Sequence, residues 1–158
     1  MNRFIIGVLF LLRGAELQEV RALVVDDFER WRRIVCATLR SKLGLCIIEE
    51  AADGLDAVWK AEALQPDLIV LDIGLPTMNG IEVARKIRKV SPKSRVVFFT
   101  QNASCDIAEA TLHEGASGYV LKAAASRELT PAVKAALEGR QFVSAGLRAL
   151  TLRPEMVQ

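Results

Sequence analysis

Five of the six residues in Leu68-Ile69-Val70-Leu71-Asp72-Ile73 are apolar, and the exception is Asp72. A strand with one face in water alternates apolar and polar residues, so this run predicts a strand that is buried on both faces. Such strands belong to parallel sheets that carry helices on both sides. Asp72 lies near the carboxyl end of the strand, where open α/β sheets bind their ligands. We therefore expect Asp72 to be a charge held at a functional site.

Apolar segments alternate with amphipathic segments on both sides of this strand. The other strands are predicted at residues 21–25, 45–48, 95–100 and 118–121, and helices at residues 28–43, 55–64, 79–90, 104–113 and 126–138. The last helix begins at Ser126 or at Thr130, and Thr130 would place Pro131 comfortably in the first helical position. Five strands that alternate with five helices through short connections predict a doubly wound, five-stranded parallel sheet, in three α/β/α layers.

Composition limits the class of protein. The 158 residues are enough for one domain with a sizeable core, and 51% apolar with 25% charged residues is typical of a globular protein. A net charge of +2 gives no indication of binding to nucleic acid or to an anionic membrane. Cys36, Cys46 and Cys105 have no metal-like spacing, which fits a reducing, cytoplasmic location.

The first 19 residues precede the regular pattern. Residues 4–12 form an uninterrupted apolar block, which as a helix would span only roughly 14 Å and so would not cross a membrane. A signal peptide or anchor is disfavoured by Arg13, because a small residue belongs before the cleavage site. We expect residues 1–19 to be a leader of unreadable role and residues 20–140 to form the domain.

Polar residues follow four of the five predicted strands. These residues are Asp26-Asp27, Asp72, Thr100 and Lys122. A polar residue at a strand end is unremarkable alone, but parallel strands bring all of these to one edge of the sheet. Clustered carboxylates repel each other and favour a hard cation such as Mg²⁺. With the cation and Lys122 in place, Asp72 could attack a phosphorus centre and form an aspartyl phosphate.

Four motifs carry a resemblance to a known family. They are Val24-Val25-Asp26-Asp27, Leu71-Asp72-Ile73-Gly74-Leu75-Pro76 through Asn79-Gly80, Phe99-Thr100, and Gly115-Ala116-Ser117-Gly118-Tyr119-Val120-Leu121-Lys122. In this order and spacing the chain closely resembles the receiver domain of two-component response regulators over residues 20 to about 148. Within that family it is most similar to the NarL/FixJ-type branch. The resemblance implies a flavodoxin-like fold and a phosphorylation-controlled signalling switch.

The resemblance also implies a role for each residue at the predicted site. Asp72 would accept the phosphoryl group from a histidine kinase or a phosphotransfer protein and would contact Mg²⁺. Asp27 would bind the ion directly, Asp26 largely through water, and Gly74 through its backbone carbonyl. Lys122 would pair with the phosphoryl group. The protein would then be an acceptor that phosphorylates and dephosphorylates itself, and not an enzyme in the ordinary sense.

Two further residues would form the switch that the resemblance implies. Thr100 would swing in to hydrogen-bond a phosphoryl oxygen, and Tyr119 would move inward with it. Repacking of Tyr119 would reach the face made by the fourth helix, the fifth strand and the fifth helix. That face would carry the interaction with a partner, and a second copy of the chain is one candidate.

The C-terminal residues and two alternatives complete the sequence-based picture. Residues 141–158 resemble the linker to a DNA-binding output domain and are too few to form that domain. We therefore expect no output domain and no nucleic-acid binding by these 158 residues. Gln101 stands where the family usually has a small residue, which keeps open a constitutive interaction or dimerisation module. An aspartate-nucleophile phosphatase of another α/β family would need a second acid at position 74, which is Gly74.

Overall fold

A computed structural model describes residues 10–13 and 16–151. Two antiparallel strands, β1 (Phe10–Arg13) and β2 (Glu16–Glu19), precede a six-stranded parallel sheet in the order β4-β3-β5-β6-β7-β8. Its elements are β3 (Arg21–Val25), α1 (Glu29–Leu43), β4 (Cys46–Ala51), α2 (Gly54–Leu64), β5 (Leu68–Leu71), α3 (Gly80–Val90), β6 (Arg95–Thr100), α4 (Cys105–His113), β7 (Gly118–Leu121), a 3₁₀ turn (Lys122–Ala124), α5 (Ala125–Leu137), β8 (Phe142–Val143) and α6 (Ala145–Thr151).

Helices cover both faces of the sheet and create two apolar cores. Val35 and Leu39 of α1 pack with Leu129 of α5 on one face. Helices α2, α3 and α4 supply the other core, which includes Ala57 and Val83. All four residues of β5 are buried, as expected for a central strand that is covered on both sides. The predicted doubly wound parallel α/β fold is confirmed, with one strand more than the five expected.

Capping residues mark the end of helix α1 and the start of helix α3. Gly44 ends α1 in the left-handed region with a φ of 61°, a conformation that glycine adopts without steric cost. The side chain of Asn79 accepts hydrogen bonds from the backbone N–H groups of Ile81 and Glu82 at 3.0 and 3.1 Å. This cap starts α3 only a short loop after β5, so the chain that follows Asp72 is held at both ends.

Two helices differ from the sequence prediction. Helix α5 begins at Ala125 and includes Pro131, so Thr130 is not its cap. The burial of Leu129 and Ala132 offsets the loss of the backbone hydrogen bond that the proline removes. Helix α2 forms as predicted, but Leu55 and Trp59 are 57% and 67% exposed. The face that packs on α3 consists of small residues because the two helices lie close together.

The apolar block predicted at residues 4–12 is described only in part. Strand β1 pairs with β2 from Phe10 opposite Glu19 to Arg13 opposite Glu16, and residues 4–9 lie outside the described residues. Within residues 10–13 and 16–151, no helix has the length and apolar character needed to cross a bilayer.

The segment that was expected to be a linker-like tail is packed on the domain as far as residue 148. Strand β8 extends the sheet by pairing with Gly118 and Tyr119 of β7. Ser144, which is fully buried, donates its backbone N–H to the Tyr119 carbonyl at 2.9 Å, and its Oγ accepts the backbone N–H of Leu121 at 2.8 Å. The same hydroxyl donates to the Glu128 carboxylate. Leu147 is 1% exposed and packs in the core that contains Tyr119.

This packing predicts that Leu147 contributes to the stability of the whole domain. We expect Leu147→Ala to lower the free energy of unfolding by about 2–4 kcal/mol, because it removes buried methyl groups and leaves a cavity. Leu55→Ala, at an exposed leucine, should change it by less than about 0.5 kcal/mol. Urea denaturation followed by circular dichroism measures both, and equal effects would mean that α6 does not dock on the domain in solution.

Candidate functional site

The ends of four neighbouring strands bring acidic and basic side chains together at one edge of the sheet. Carboxylate oxygens of Asp26, Asp27 and Asp72 all lie within 4.8 Å of one another. The Nζ of Lys122 lies 2.6 Å from Oδ2 of Asp26 and 3.3 Å from Oδ2 of Asp72. Parallel register explains the convergence, because Val25 pairs with Leu71 and the next residues along the chain are Asp26 and Asp72.

These charges are mostly buried beneath an open pocket. Asp26, Asp72 and Lys122 are 3%, 6% and 5% exposed, whereas Asp27 is exposed. A pocket of about 410 Å³ lies above Asp72 and also contacts Asp27 and Lys122. Burial raises the pKa of Asp26 above its usual value, and the neighbouring Lys122 ammonium opposes that increase. Burial of an acid cluster next to a single ammonium leaves excess negative charge, which a cation would neutralise.

The donor set suits a hard divalent cation. All three candidate ligands offer oxygen atoms, which Mg²⁺ prefers. Among the described residues, the buried Oδ2 of Asp26 receives no well-directed hydrogen bond, although the Lys122 ammonium lies beside it. Its other oxygen, Oδ1, accepts the backbone N–H of Phe28 at 2.9 Å, which fixes the side chain. An acid cluster with an oxygen left for a ligand therefore fits such an ion.

The two residues of the expected switch are already connected. Thr100 is buried and lines the pocket, and its Oγ1 accepts the backbone N–H of Asn102 at 3.1 Å. The hydroxyl of Tyr119 donates to the carbonyl of Asn102 at 2.8 Å. Tyr119 is fully buried, so in this structure it occupies an inward position.

Two glycines lie close to Asp72. Gly74, one of the expected ligands, is exposed at the pocket, and a Cβ added there would lie 3.8 Å from Oδ2 of Asp72. Gly80 is packed against the backbone, and a Cβ there would lie 2.1 Å from the Asp72 carbonyl oxygen. No side chain fits at Gly80 without moving α3 or the strand end.

Some contacts at this site leave no signal in the sequence. Lys122 Nζ lies 5.2 Å from the ring centroid of Trp31 and 5.8 Å from that of Phe99, and these two rings meet edge to face. The amphipathic pattern of residues 28–43 does not indicate this role of Trp31. The link from Thr100 to Tyr119 through the backbone of Asn102 is hidden in the same way, because a backbone contact leaves no mark on residue type. His113 is exposed on α4 and lies outside this pocket.

Comparison with known proteins decides the family. The response regulator receiver domain family matches residues 22–134. The chain belongs to this family. The receiver domain is 33% identical over 125 residues to the nitrate/nitrite response regulator protein NarL of Escherichia coli K12, covering 79% of this chain and 58% of that protein. It is 30% identical to the response regulator GacA of Pseudomonas viridiflava, again covering 79% of this chain and 58% of that protein.

Solved structures agree with this membership. A two-component response regulator of the LuxR family from Aurantimonas sp. SI85-9A1 has a TM-score of 0.78 at 32% identity, covering 84% of this chain and 94% of that one. The response regulator domain of Thermotoga maritima CheB has a TM-score of 0.70 at 30% identity, covering 77% of this chain and 98% of that one. The receiver domain thus spans nearly all of these two structures but less than three-fifths of the curated relatives NarL and GacA.

The close approach at Gly80 predicts a strong effect of a single methyl group. We expect Gly80→Ala to lower the free energy of unfolding of the receiver domain by roughly 1–3 kcal/mol, because the methyl group overlaps the Asp72 backbone. Gly146→Ala is the control, since a Cβ there lies 3.7 Å from the nearest atom and should be tolerated. Urea denaturation of both variants checks this, and a neutral Gly80→Ala would contradict the packing described.

Tyr119 is the only tyrosine of the chain, so its ionisation can be followed directly. Burial, with a smaller contribution from the Asp72 carboxylate, raises its pKa to about 12. The unfolded chain loses this proton near pH 10. Stability from the neutral hydroxyl is therefore fully present below about pH 10 and is lost as the pH rises toward 12, by roughly 2–3 kcal/mol in total.

Absorbance at the tyrosinate band, measured during a pH titration of folded and urea-unfolded protein, tests this expectation. Tyr119→Phe should remove the corresponding part of the decline in stability between pH 10 and pH 12. A midpoint near 10 in the folded protein would mean that Tyr119 is accessible to water in solution.

Proposed function

We propose that this receiver domain is a cytoplasmic signalling switch in which Asp72 accepts a phosphoryl group from a histidine kinase or a phosphotransfer protein. The observation that carries the proposal is the position of the Lys122 ammonium, 2.6 Å from Asp26 and 3.3 Å from Asp72, beside a cluster of three carboxylates. Such a site can hold a negatively charged group against an acidic nucleophile. Membership of the family supports the same conclusion.

The chemistry follows from the groups present. A carboxylate oxygen of Asp72 attacks phosphorus and forms a new O–P bond. The bond from phosphorus to the donor nitrogen breaks, and its electron pair stays on that nitrogen. The side chain of Lys122 pairs with the transferred group. Asp26, Asp27 and Asp72, with the carbonyl of Gly74, would hold Mg²⁺, which when bound neutralises charge on the transferred group. We assign to the protein no reaction beyond its own phosphorylation and dephosphorylation.

The proposed relay uses the contacts around Asn102. The Thr100 hydroxyl accepts from the N–H of Asn102 and can turn to donate to a phosphoryl oxygen on Asp72. That movement would release the N–H of Asn102, whose carbonyl holds the hydroxyl of Tyr119. The change would thus reach β7 and α4, where a partner or a second copy of the chain would bind. Because β8 and α6 pack beside β7 and α4, this partner face includes part of the C-terminal segment.

Membership of the NarL/FixJ-type branch is also part of the proposal. The relatives NarL and GacA are named as response regulators, and the branch suggests a role in regulating transcription. A constitutive interaction module is the alternative, and the observation that speaks for it is Gln101, which is exposed at the pocket.

Phosphorylation of purified protein distinguishes the two functions. Incubated with Mg²⁺ and a small phosphodonor such as acetyl phosphate, the protein should gain the mass of one phosphoryl group, and Asp72→Asn should gain none. Asp53→Asn is the matched control, because Asp53 caps α2 outside the acid cluster and asparagine caps a helix equally well. It should be phosphorylated like the parent.

Beryllofluoride provides an independent readout. With Mg²⁺ it should change the fluorescence of Trp31, which lies next to Lys122, and the change should require Asp72. If neither the mass nor the fluorescence responds at millimolar donor, the switch is refuted and the constitutive module is favoured.

A further inference from the structure

The loop that carries Asp26 and Asp27 is held from behind by an arginine of the first helix. Nη1 of Arg32 donates to the backbone carbonyl of Asp26 at 2.8 Å, and Nε donates to Oε1 of Glu50 at 3.3 Å. Only 18% of the Arg32 side chain is exposed. Arg32 is not among the residues that line the pocket above Asp72, so its route to the site is the backbone of the loop.

We propose that Arg32 is a positioning residue that sets the direction of the Asp26 and Asp27 carboxylates for a divalent cation. The inference rests on the proposed function and adds to it a residue outside the pocket. Its physical basis is that the Asp26 carbonyl belongs to the peptide bond between the two acids. Anchoring that oxygen limits rotation of the peptide plane and therefore the directions in which both side chains leave the backbone.

The opposite side of the same residue is anchored by the sheet. The backbone N–H of Asp26 donates to the carbonyl of Ala51, the last residue of β4, at 3.1 Å. The preceding residue, Glu50, is the second acceptor of Arg32, and its own carbonyl accepts Nζ of Lys60 at 2.6 Å. Asp26 is therefore fixed to β4 both directly and through Arg32.

At the start of α1 the loop is also held by the hydrogen bond from the backbone N–H of Phe28 to Oδ1 of Asp26. Phe28 occupies the N-cap position and makes no side-chain capping bond. An arginine suits the role because its planar guanidinium donates in two directions at once, to a carbonyl and to a carboxylate. A lysine carries the same charge on a single ammonium group and cannot reproduce that fork, so it should replace Arg32 only in part.

An electrostatic role and a positioning role of Arg32 predict opposite changes in the affinity for Mg²⁺. Arg32→Gln removes a positive charge close to the acid cluster, and by Coulomb attraction alone Mg²⁺ would then bind more tightly. Loss of the anchor frees the loop and would make Mg²⁺ bind more weakly. The direction of the change in affinity therefore separates a positioning role from an electrostatic one.

The experiment uses the full chain with Trp59→Phe as the parent, so that Trp31 is the only tryptophan. Trp59 is 67% exposed and Trp31 lines the pocket, so the fluorescence change on adding MgCl₂ reports on the site. We expect Arg32→Gln to raise the dissociation constant for Mg²⁺ roughly tenfold, as loss of a supporting partner of a metal ligand does. Arg32→Lys should lie between this variant and the parent.

A neighbouring arginine provides the matched control. The Arg33 side chain is 77% exposed and pairs with Glu29 one helical turn earlier, so Arg33→Gln removes the same charge without touching the loop. It should bind Mg²⁺ like the parent.

The outcomes separate this inference from the proposed function. Unchanged or tighter Mg²⁺ binding by Arg32→Gln, in a parent that binds Mg²⁺, overturns the positioning role alone. No Mg²⁺ response in the parent overturns the proposed function and this inference with it. If Arg32→Gln does not fold, Glu50→Gln replaces it, since that change weakens the anchor of Arg32 and should also weaken Mg²⁺ binding; an unchanged affinity there would contradict the inference.

Discussion

The buried ammonium of Lys122 between Asp26 and Asp72 is the interaction on which the site depends. Removing charges from water is costly, and the cost is offset only when the partners are close and well placed. Here the placement comes from the parallel sheet, in which β3, β5, β6 and β7 lie side by side and have their carboxyl ends at the same edge. Trp31 and Phe99 enclose the ammonium further. The fold therefore makes the site possible by placing Lys122 beside the two acids, since neither acid could be buried without the lysine.

The fold and the members of the site followed from the sequence because both depend on simple rules. Runs such as Leu68–Leu71 identify doubly buried strands, and parallel strands must end at a common edge. The remainder depends on tertiary contacts that residue type does not reveal. Strand β8 has only two residues, the exposed face of α2 depends on its packing against α3, and Pro131 lies inside a helix that burial sustains. The anchoring of Asp26 by Arg32 depends on a backbone carbonyl.

Backbone groups also account for the link between the pocket and the edge of the sheet. Thr100 and Tyr119 never touch through their side chains in the contacts described; each reaches Asn102, one through its N–H and the other through its carbonyl. Ser144 holds the Tyr119 carbonyl from the other side. Movement of a single loop residue therefore bears on both the pocket and the C-terminal segment, whichever side chain stands at position 102.

Strand β8 has a consequence for where the folding unit ends. The family match stops at residue 134, within α5, yet the sheet is completed by Phe142 and Val143. A protein cut at the end of the match would expose the outer backbone N–H and C=O groups of β7 as an open edge. Such edges recruit extended segments from other molecules and lead to aggregation. The C-terminal segment thus covers this edge of β7, and we expect a protein that ends beyond Leu147 to aggregate less than one cut at residue 134.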